Sequence, residues 1–143
     1  LDPSSAASDV YKRQVPDKFL YDAFVYDSPK EKDNIQDSDA LDEVVVYGKI
    51  PRRSIRVPVY FGGTTSPDFM YVLKGTDGKM SLNFVIETKD VNAQSDLRES
   101  EKLRFKAAKK FFESISDEDI NVQFSPQLKH DDIANLIKQV VAQ

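Results

Sequence analysis

Residues 67–89 read Pro67-Asp68-Phe69-Met70-Tyr71-Val72-Leu73-Lys74-Gly75-Thr76-Asp77-Gly78-Lys79-Met80-Ser81-Leu82-Asn83-Phe84-Val85-Ile86-Glu87-Thr88-Lys89. Two largely apolar runs, Phe69 to Lys74 and Met80 to Thr88, flank a turn-forming segment. Asp-Gly between such runs is a strong two-residue hairpin signal, because the favoured turn needs positive φ at its centre. If Asp77 and Gly78 make the turn, residues paired across the strands have numbers that add to 155, and Asp68 falls opposite Glu87. Directly opposed side chains hold their Cβ atoms about 4.5–5.5 Å apart. Lys89 lies two residues beyond Glu87 and projects from the same face. The hairpin register alone therefore gathers Asp68, Glu87 and Lys89.

Two bare carboxylates so placed repel each other. A divalent cation between them turns repulsion into ligation, and oxygen-only donors suit Mg²⁺. Glu-x-Lys by itself is a cheap pattern. Asp77-Gly78-Lys79 is a second acid-x-Lys, and Pro-Asp recurs at Pro16-Asp17. The bland counterpart is a structural salt bridge from Lys89 to both acids. Position favours the site, because the buried-looking strand Phe84-Val85-Ile86 runs straight into Glu87.

Upstream of the hairpin, Phe19 to Tyr26 is apolar and aromatic and reads as a short strand or docking segment. Ser28-Pro29-Lys30-Glu31 is a helix start, with Ser as N-cap, Pro at the first helical position and Glu in capping-box position. That helix is expected to end before the acidic run Asp37–Asp42. Val44 to Tyr47 is strand-like, and Ile50 to Tyr60 reads as extended chain with Ile55, Val57 and Val59 alternating. Gly62 to Pro67 is a loop. Downstream, Asp96 to about Ile115 has helical periodicity, with Leu97, Phe105, Ala108, Phe112 and Ile115 on one face. Ile120 to Phe124 is a further strand, and Asp131 to Val141 a last amphipathic helix. The order αβββαβ plus a C-terminal helix is an α/β fold with a mixed β-sheet flanked by helices. Residues 1–14 are Ser- and Ala-rich without periodicity, and Asp9-Val10-Tyr11-Lys12-Arg13-Gln14 resembles translated vector sequence. They are expected to be a non-native or disordered segment, with 15–143 a single domain.

The chain has 143 residues, 40% hydrophobic and 31% charged, enough for one domain with one real core. No stretch approaches the roughly 18–20 apolar residues of a membrane span, and no signal-peptide pattern is visible. With no Cys, disulfides, thiolate zinc sites and cysteine nucleophiles are excluded. His130 is the single histidine, so a multi-histidine metal site is excluded too. Hydrolytic chemistry must rest on carboxylates, lysines and hard metal ions.

The net charge of -4 argues against a protein that coats nucleic acid. The charge is uneven, however. Residues 22–43 carry eight acids and two lysines, residues 49–56 four bases and no acid, and residues 98–110 six bases and two acids. Any one such run is ordinarily a solvated face. Beside a phosphate-handling site, Arg52, Arg53, Arg56, Arg98, Lys102 and Arg104 become candidate phosphate contacts. No base-reading element is visible.

Pro67-Asp68 followed by Glu87-Thr88-Lys89 matches the PD-(D/E)xK nuclease signature, and the element order resembles that superfamily's restriction-endonuclease-like core. More narrowly, three runs look like the endonuclease domain at the C-terminus of the Res subunit of type III restriction enzymes. They are Val44-Val45-Val46-Tyr47-Gly48-Lys49-Ile50-Pro51-Arg52, Gly62-Gly63-Thr64-Thr65-Ser66-Pro67-Asp68-Phe69 and Phe84-Val85-Ile86-Glu87-Thr88-Lys89. The helix with Leu97-Arg98, Glu101, Arg104 and Phe111-Phe112 also resembles the family, with Arg104 where Lys is expected. The likeness covers roughly residues 19–125.

The resemblance implies a type III site-specific deoxyribonuclease domain that hydrolyses phosphodiesters of double-stranded DNA with Mg²⁺. It implies Asp68 and Glu87 as metal ligands, the Thr88 carbonyl as a further ligand, and Lys89 orienting the attacking water or stabilising charge. Glu31 is either an upstream acid of the site or only a capping residue. A helicase-like part of the same Res protein and a methyltransferase (Mod) subunit would choose where to cut, in a prokaryotic cytoplasm and with no membrane involved. ATP would bind outside this chain, because Gly48-Lys49-Ile50 lacks the upstream Gly and the Ser/Thr of a Walker A loop. The chain thus reads as an excised C-terminal domain. The residues alone leave open a non-catalytic domain that docks DNA or another subunit, or a structural domain with a salt-bridge cluster. Metal binding separates the first reading from both.

Overall fold

A computed structural model describes residues 15–58, 64–78 and 81–143. The hairpin forms in the register derived above. Strand β4 (Phe69–Lys74) pairs antiparallel with β5 (Ser81–Thr88), and every pair from Phe69↔Ile86 to Lys74↔Ser81 adds to 155. The turn itself differs in detail. Gly78 N–H donates to the Gly75 carbonyl at 2.9 Å, which centres the turn on Thr76-Asp77, one residue early. Gly78 takes φ 70°, a conformation glycine adopts without steric cost. Lys79 and Met80 lie outside the described residues.

The hairpin is the middle of a four-stranded sheet. Its order is β1 (Val44–Lys49), β4, β5, β6 (Val122–Gln127). The β1–β4 and β4–β5 pairs are antiparallel and β5–β6 is parallel, so the sheet is mixed, as expected. A parallel neighbour requires a crossover, and helix α2 (Glu99–Ile115) supplies it. Helices α1 (Pro29–Ser38) and α3 (Ile133–Val141) complete the layers, with a small ribbon of β2 (Val57–Pro58) and β3 (Thr64–Thr65).

The period of two along β4 and β5 sorts their side chains between two cores. Phe69, Tyr71, Leu73, Leu82, Phe84 and Ile86 pack with Ile35 of α1 and Ile133, Ile137 and Val141 of α3. On the opposite face Val85 and Phe124 pack with Phe105, Ala108 and Phe112 of α2 and with Val57. Covering both faces with helices makes the central strands apolar at nearly every position, which is why they were legible.

Several local expectations are corrected. Helix α1 runs on through Asp37, because Ser38 Oγ bonds the Asn34 carbonyl at 2.6 Å and the Tyr71 hydroxyl at 3.0 Å and so seals its last turn. Phe19 to Tyr26 is a docking segment rather than a strand. Phe19 bridges Tyr47 alone, and Phe19 and Phe24 plug the first core. Residues 50–58 are not one extended run. Ser54 N–H donates to the Pro51 carbonyl, Arg53 takes φ 61°, and only Val57-Pro58 finds a strand partner. Pairing of β1 with β4 ends at Lys49↔Phe69, and among the described residues no strand pairs with 51–56. Ile115 is exposed, since the buried stripe of α2 stops at Phe112. Strand β6 begins at Val122, two residues late, because the Asp117 carboxylate accepts the Asp119 and Ile120 N–H groups and holds Ile120 in a turn. Val59 and Tyr60, Gly62 and Gly63, and the 1–14 segment lie outside the described residues.

One buried polar contact ties α1 to β6. Asn34 Nδ2 donates to Gln127 Oε1 at 2.5 Å, and Gln127 Nε2 donates to Asn34 Oδ1 at 2.8 Å and to the Asp131 carbonyl at 3.1 Å. Both residues are buried. Gln127→Leu strands the Asn34 amide away from water, so it should destabilise the fold by about 1–3 kcal/mol. Replacing both residues with Leu should cost less than the two single changes together. Urea titration of the four proteins in a double-mutant cycle measures the coupling.

Candidate active site

The cleft lies at the C-terminal end of β5. It has a volume of about 610 Å³ and is lined by Glu31, Asp68, Glu87, Thr88 and Lys89, with Lys30, Asp33 and Lys129 among the other walls. Asp68, Glu87 and Lys89 thus share one cleft, although the paired register ends at Phe69↔Ile86 and Asp68 is not the cross-strand partner of Glu87 that was expected.

Asp68 sits one residue before β4, where the regular ladder ends. Its N–H donates to the Ile86 carbonyl at 2.8 Å, and its carbonyl accepts from Ile50 N–H at 2.7 Å. The backbone is thus clamped between the ends of β1 and β5. The carboxylate turns towards Thr88, and Oδ2 accepts from Thr88 N–H at 2.7 Å and from Thr88 Oγ1 at 3.1 Å. Burial pushes the Asp68 carboxyl above the ordinary carboxylate range, against the two Thr88 hydrogen bonds. The nearby charge of Glu31 adds to the rise and that of Lys49 opposes it.

Glu87 is held by a different neighbour. Thr65 Oγ1, from β3, donates to Glu87 Oε2 at 2.9 Å. Lys89 Nζ lies 3.7 Å from Glu87 Oε1 and 3.8 Å from Glu101 Oε2 of α2. It also sits over the Phe105 ring, 6.0 Å from the centroid. Burial pushes the Glu87 carboxyl up as well. The Thr65 hydrogen bond and the Lys89 charge oppose that rise, and the charge of Asp68 adds to it. Both carboxyls are thus raised chiefly by burial, with the charge of Asp68 adding to the rise of Glu87 and that of Glu31 to the rise of Asp68. Asp68 is anchored by Thr88, while Lys89 pairs with Glu87 and Glu101, so the salt-bridge reading in which Lys89 neutralises both site acids does not describe this cleft.

Glu31 is a capping residue that also lines the cleft. Its N–H donates to Ser28 Oγ at 3.2 Å, and its Oε2 accepts Asp27 N–H at 2.6 Å, so it caps α1. It also lines the cleft and pairs with Lys49 at 3.0 Å. Lys49 in turn reaches Asp27 at 2.9 Å and the Val25 carbonyl at 3.1 Å. Among the described residues no group of three or more Asp, Glu or His side chains gathers as a metal site. A cation here would rest on the Asp68–Glu87 pair, completed by backbone oxygen or water. Two half-buried carboxylates in one cleft are a hard-oxygen donor set, which fits a divalent cation of the Mg²⁺ type.

Reading from the sequence missed Thr65, Lys49 and Glu101, each of which holds a site residue in place. The signals were weak: Thr65 falls in a run that reads as a loop, Lys49 is the last residue of β1, and Glu101 is one acid in a charged helix. Arg52, Arg53, Arg56, Arg98, Lys102 and Arg104 are all exposed, and none lines the cleft. Arg52 comes nearest in role, with Nε 3.4 Å from Asp27 beside Lys49.

A family model described as an endonuclease domain matches residues 17–130, nearly all of the described chain. The chain belongs to this endonuclease-domain family. The Res subunit of the type III restriction-modification enzyme EcoPI, from Escherichia phage P1, is 43% identical over 125 residues. The EcoP15I Res subunit of Escherichia coli is equally similar, and both alignments cover 87% of this chain. The StyLTI Res subunit of Salmonella typhimurium is 35% identical over 100 residues. The chain spans 13% of the length of the first two relatives and 10% of the third. No solved structure matches it. Within this endonuclease domain the cleft is formed by residues inside the matched span, and none of the described helices is long and apolar enough to cross a membrane.

Proposed function

We propose that this domain is the nuclease part of a type III restriction enzyme and hydrolyses phosphodiester bonds of double-stranded DNA with Mg²⁺. The observation that carries the reading is the pair of half-buried carboxylates with raised pKa values, Asp68 and Glu87, lining one cleft with Lys89. In this reading Asp68 and Glu87 hold the cation, with the Thr88 carbonyl as a third oxygen. When bound, a divalent cation neutralises phosphate charge and makes a water acidic enough to attack.

The remaining work falls to side chains. Thr88 and Thr65 fix the two carboxylates, so little reorganisation is needed when a phosphate enters. The Lys89 amine, held by Glu87, Glu101 and the Phe105 ring, orients the attacking water and faces the charge that grows on the phosphate. Glu31, kept beside the cleft by Lys49, is a further acid that the site can use. Arg52, Arg53, Arg56, Arg98, Lys102 and Arg104 would contact DNA phosphates outside the cleft. The helicase-like part of the Res protein, its ATP and the Mod subunit would supply site choice in a prokaryotic cytoplasm.

A plasmid-nicking assay tests the proposal. The chain should nick supercoiled DNA in Mg²⁺ and leave it intact in EDTA, and Lys89→Ala should lose nicking in Mg²⁺. Equal nicking in EDTA, or by Lys89→Ala, would overturn it.

A further inference from the structure

A second groove of about 360 Å³ runs between α2 and β6, away from the cleft. Lys102, Lys106 and Lys109 line it, above a floor that includes Phe105, Phe124 and Pro126. Spacings of four and three residues put the three amines on one helix face, with rises of about 6 and 4.5 Å between them. Lys102 is paired with Glu99 at 3.1 Å. Among the described residues Lys106 and Lys109 make no ion pair. The buried aromatic floor lets their stems lie flat while the charges face outward. Arg104, expected among the phosphate contacts, does not line this groove.

Two observations narrow what the groove can hold. The first concerns β6, which is the last strand of the sheet and would ordinarily offer an edge for an added strand. Here Ser116 Oγ accepts the Val122 N–H at 2.9 Å and donates to its carbonyl at 3.1 Å, while Pro126 has no N–H to offer. The edge is blunted, so an extended peptide finds little backbone to pair with, and the charge of the lysines is what remains. The second is continuity with the cleft. Phe105 floors the groove and also carries Lys89 above its ring. From Pro126 the chain continues through Gln127 and Leu128 to Lys129, which lines the cleft wall.

We infer that this groove is a track for the phosphate backbone of DNA, with Lys106 and Lys109 as sequence-independent contacts flanking the strand whose phosphate occupies the cleft. The inference rests on the nuclease reading for its ligand but not for its test, which reads binding alone. The 143-residue chain is titrated in EDTA against a fluorescein-labelled DNA duplex across about 50–200 mM salt. Each phosphate contact contributes about 0.9 to the slope of log affinity against log salt. Lys106→Ala/Lys109→Ala should therefore flatten the slope by about 1.8 and weaken low-salt binding on the order of tenfold, equally for all sequences. Lys74→Ala/Lys138→Ala removes the same charge elsewhere on the surface and should change little. An unchanged slope in the groove variant, or equal losses in both pairs, overturns the track. So does loss of binding to a poly-glutamate competitor with DNA binding intact, which would mark the groove as a seat for an acidic protein. If the chain binds DNA through these lysines yet never nicks it, the track stands and the nuclease reading falls.

Discussion

Asp68→Asn should abolish DNA cleavage while leaving duplex binding essentially unchanged. The substitution removes one full negative charge from the donor pair and leaves the shape of the side chain in place. Asparagine keeps a carbonyl oxygen that can accept the Thr88 N–H now bonded at 2.7 Å to Oδ2, so the clamp between β1 and β5 survives. What is lost is the charge that a cation needs. A bound metal ion contributes several kcal/mol to the transition state of a phosphoryl displacement, and each 1.36 kcal/mol is tenfold in rate. Cleavage should fall on the order of a thousandfold. Binding should stay, because DNA affinity comes from lysines and arginines outside this carboxylate pair. Single-turnover cleavage and fluorescence anisotropy, measured on one preparation with a circular dichroism melt, separate the two effects. Cleavage within tenfold of the parent chain, with the fold intact, would remove Asp68 from the metal site. Parallel loss of binding and cleavage would instead make Asp68 a structural residue.

The reach of the sequence is clearest at this same site. Asp68, Glu87 and Lys89 were legible because an apolar hairpin with an Asp-Gly turn fixes a register, and the register fixes who faces whom. The register holds although the turn is centred one residue early. Thr88 was placed near the site, but its grip on Asp68 was not foreseen. That bond depends on the ladder ending one residue before Asp68 would have faced Glu87 squarely. Thr65 was invisible for a related reason. It reaches Glu87 only because the short β2–β3 ribbon folds it back, and two-residue strands carry no periodicity to read. Residues 51–56 misled in the opposite direction. Alternation at Ile55 and Val57 suggested a strand, but alternation makes a strand only where a neighbouring strand is free to pair. The basic residues of the α2 segment were recognisable by type, while which of them line the α2 groove needed the helix phase and the position of β6.

Glu87→Gln should raise the melting temperature of the metal-free chain at neutral pH and cancel its stabilisation by Mg²⁺. Burial lifts the folded-state pKa of Glu87 above its ordinary 4.5, and that of Asp68 above 3.8. A carboxyl whose pKa is raised on folding holds a proton that the unfolded chain has already released. Its contribution is full below the unfolded pKa and is lost as pH rises through the folded one. At neutral pH without metal the folded chain therefore carries the burden of two neighbouring, partly desolvated charges. Glutamine removes one of them. It keeps an oxygen for the Thr65 hydroxyl and forfeits only a 3.7 Å contact with a half-exposed lysine, which is worth little. In EDTA the stability of Glu87→Gln relative to the parent should thus grow as pH rises through the mildly acidic range, a difference that cancels the titration of every other acid. Mg²⁺ reverses the order. A ligand at a hundred times its Kd adds about 2.7 kcal/mol to the folded state, roughly 8–10 °C for a domain of this size. The parent chain should gain that at neutral pH, and much less at pH 4, where protonated carboxyls no longer ligate. The variant should gain almost nothing at either. Equal Mg²⁺ shifts in both proteins would place the cation elsewhere. A variant that melts below the parent in EDTA at every pH would show that the Glu87 charge is stabilised by its surroundings rather than strained by them.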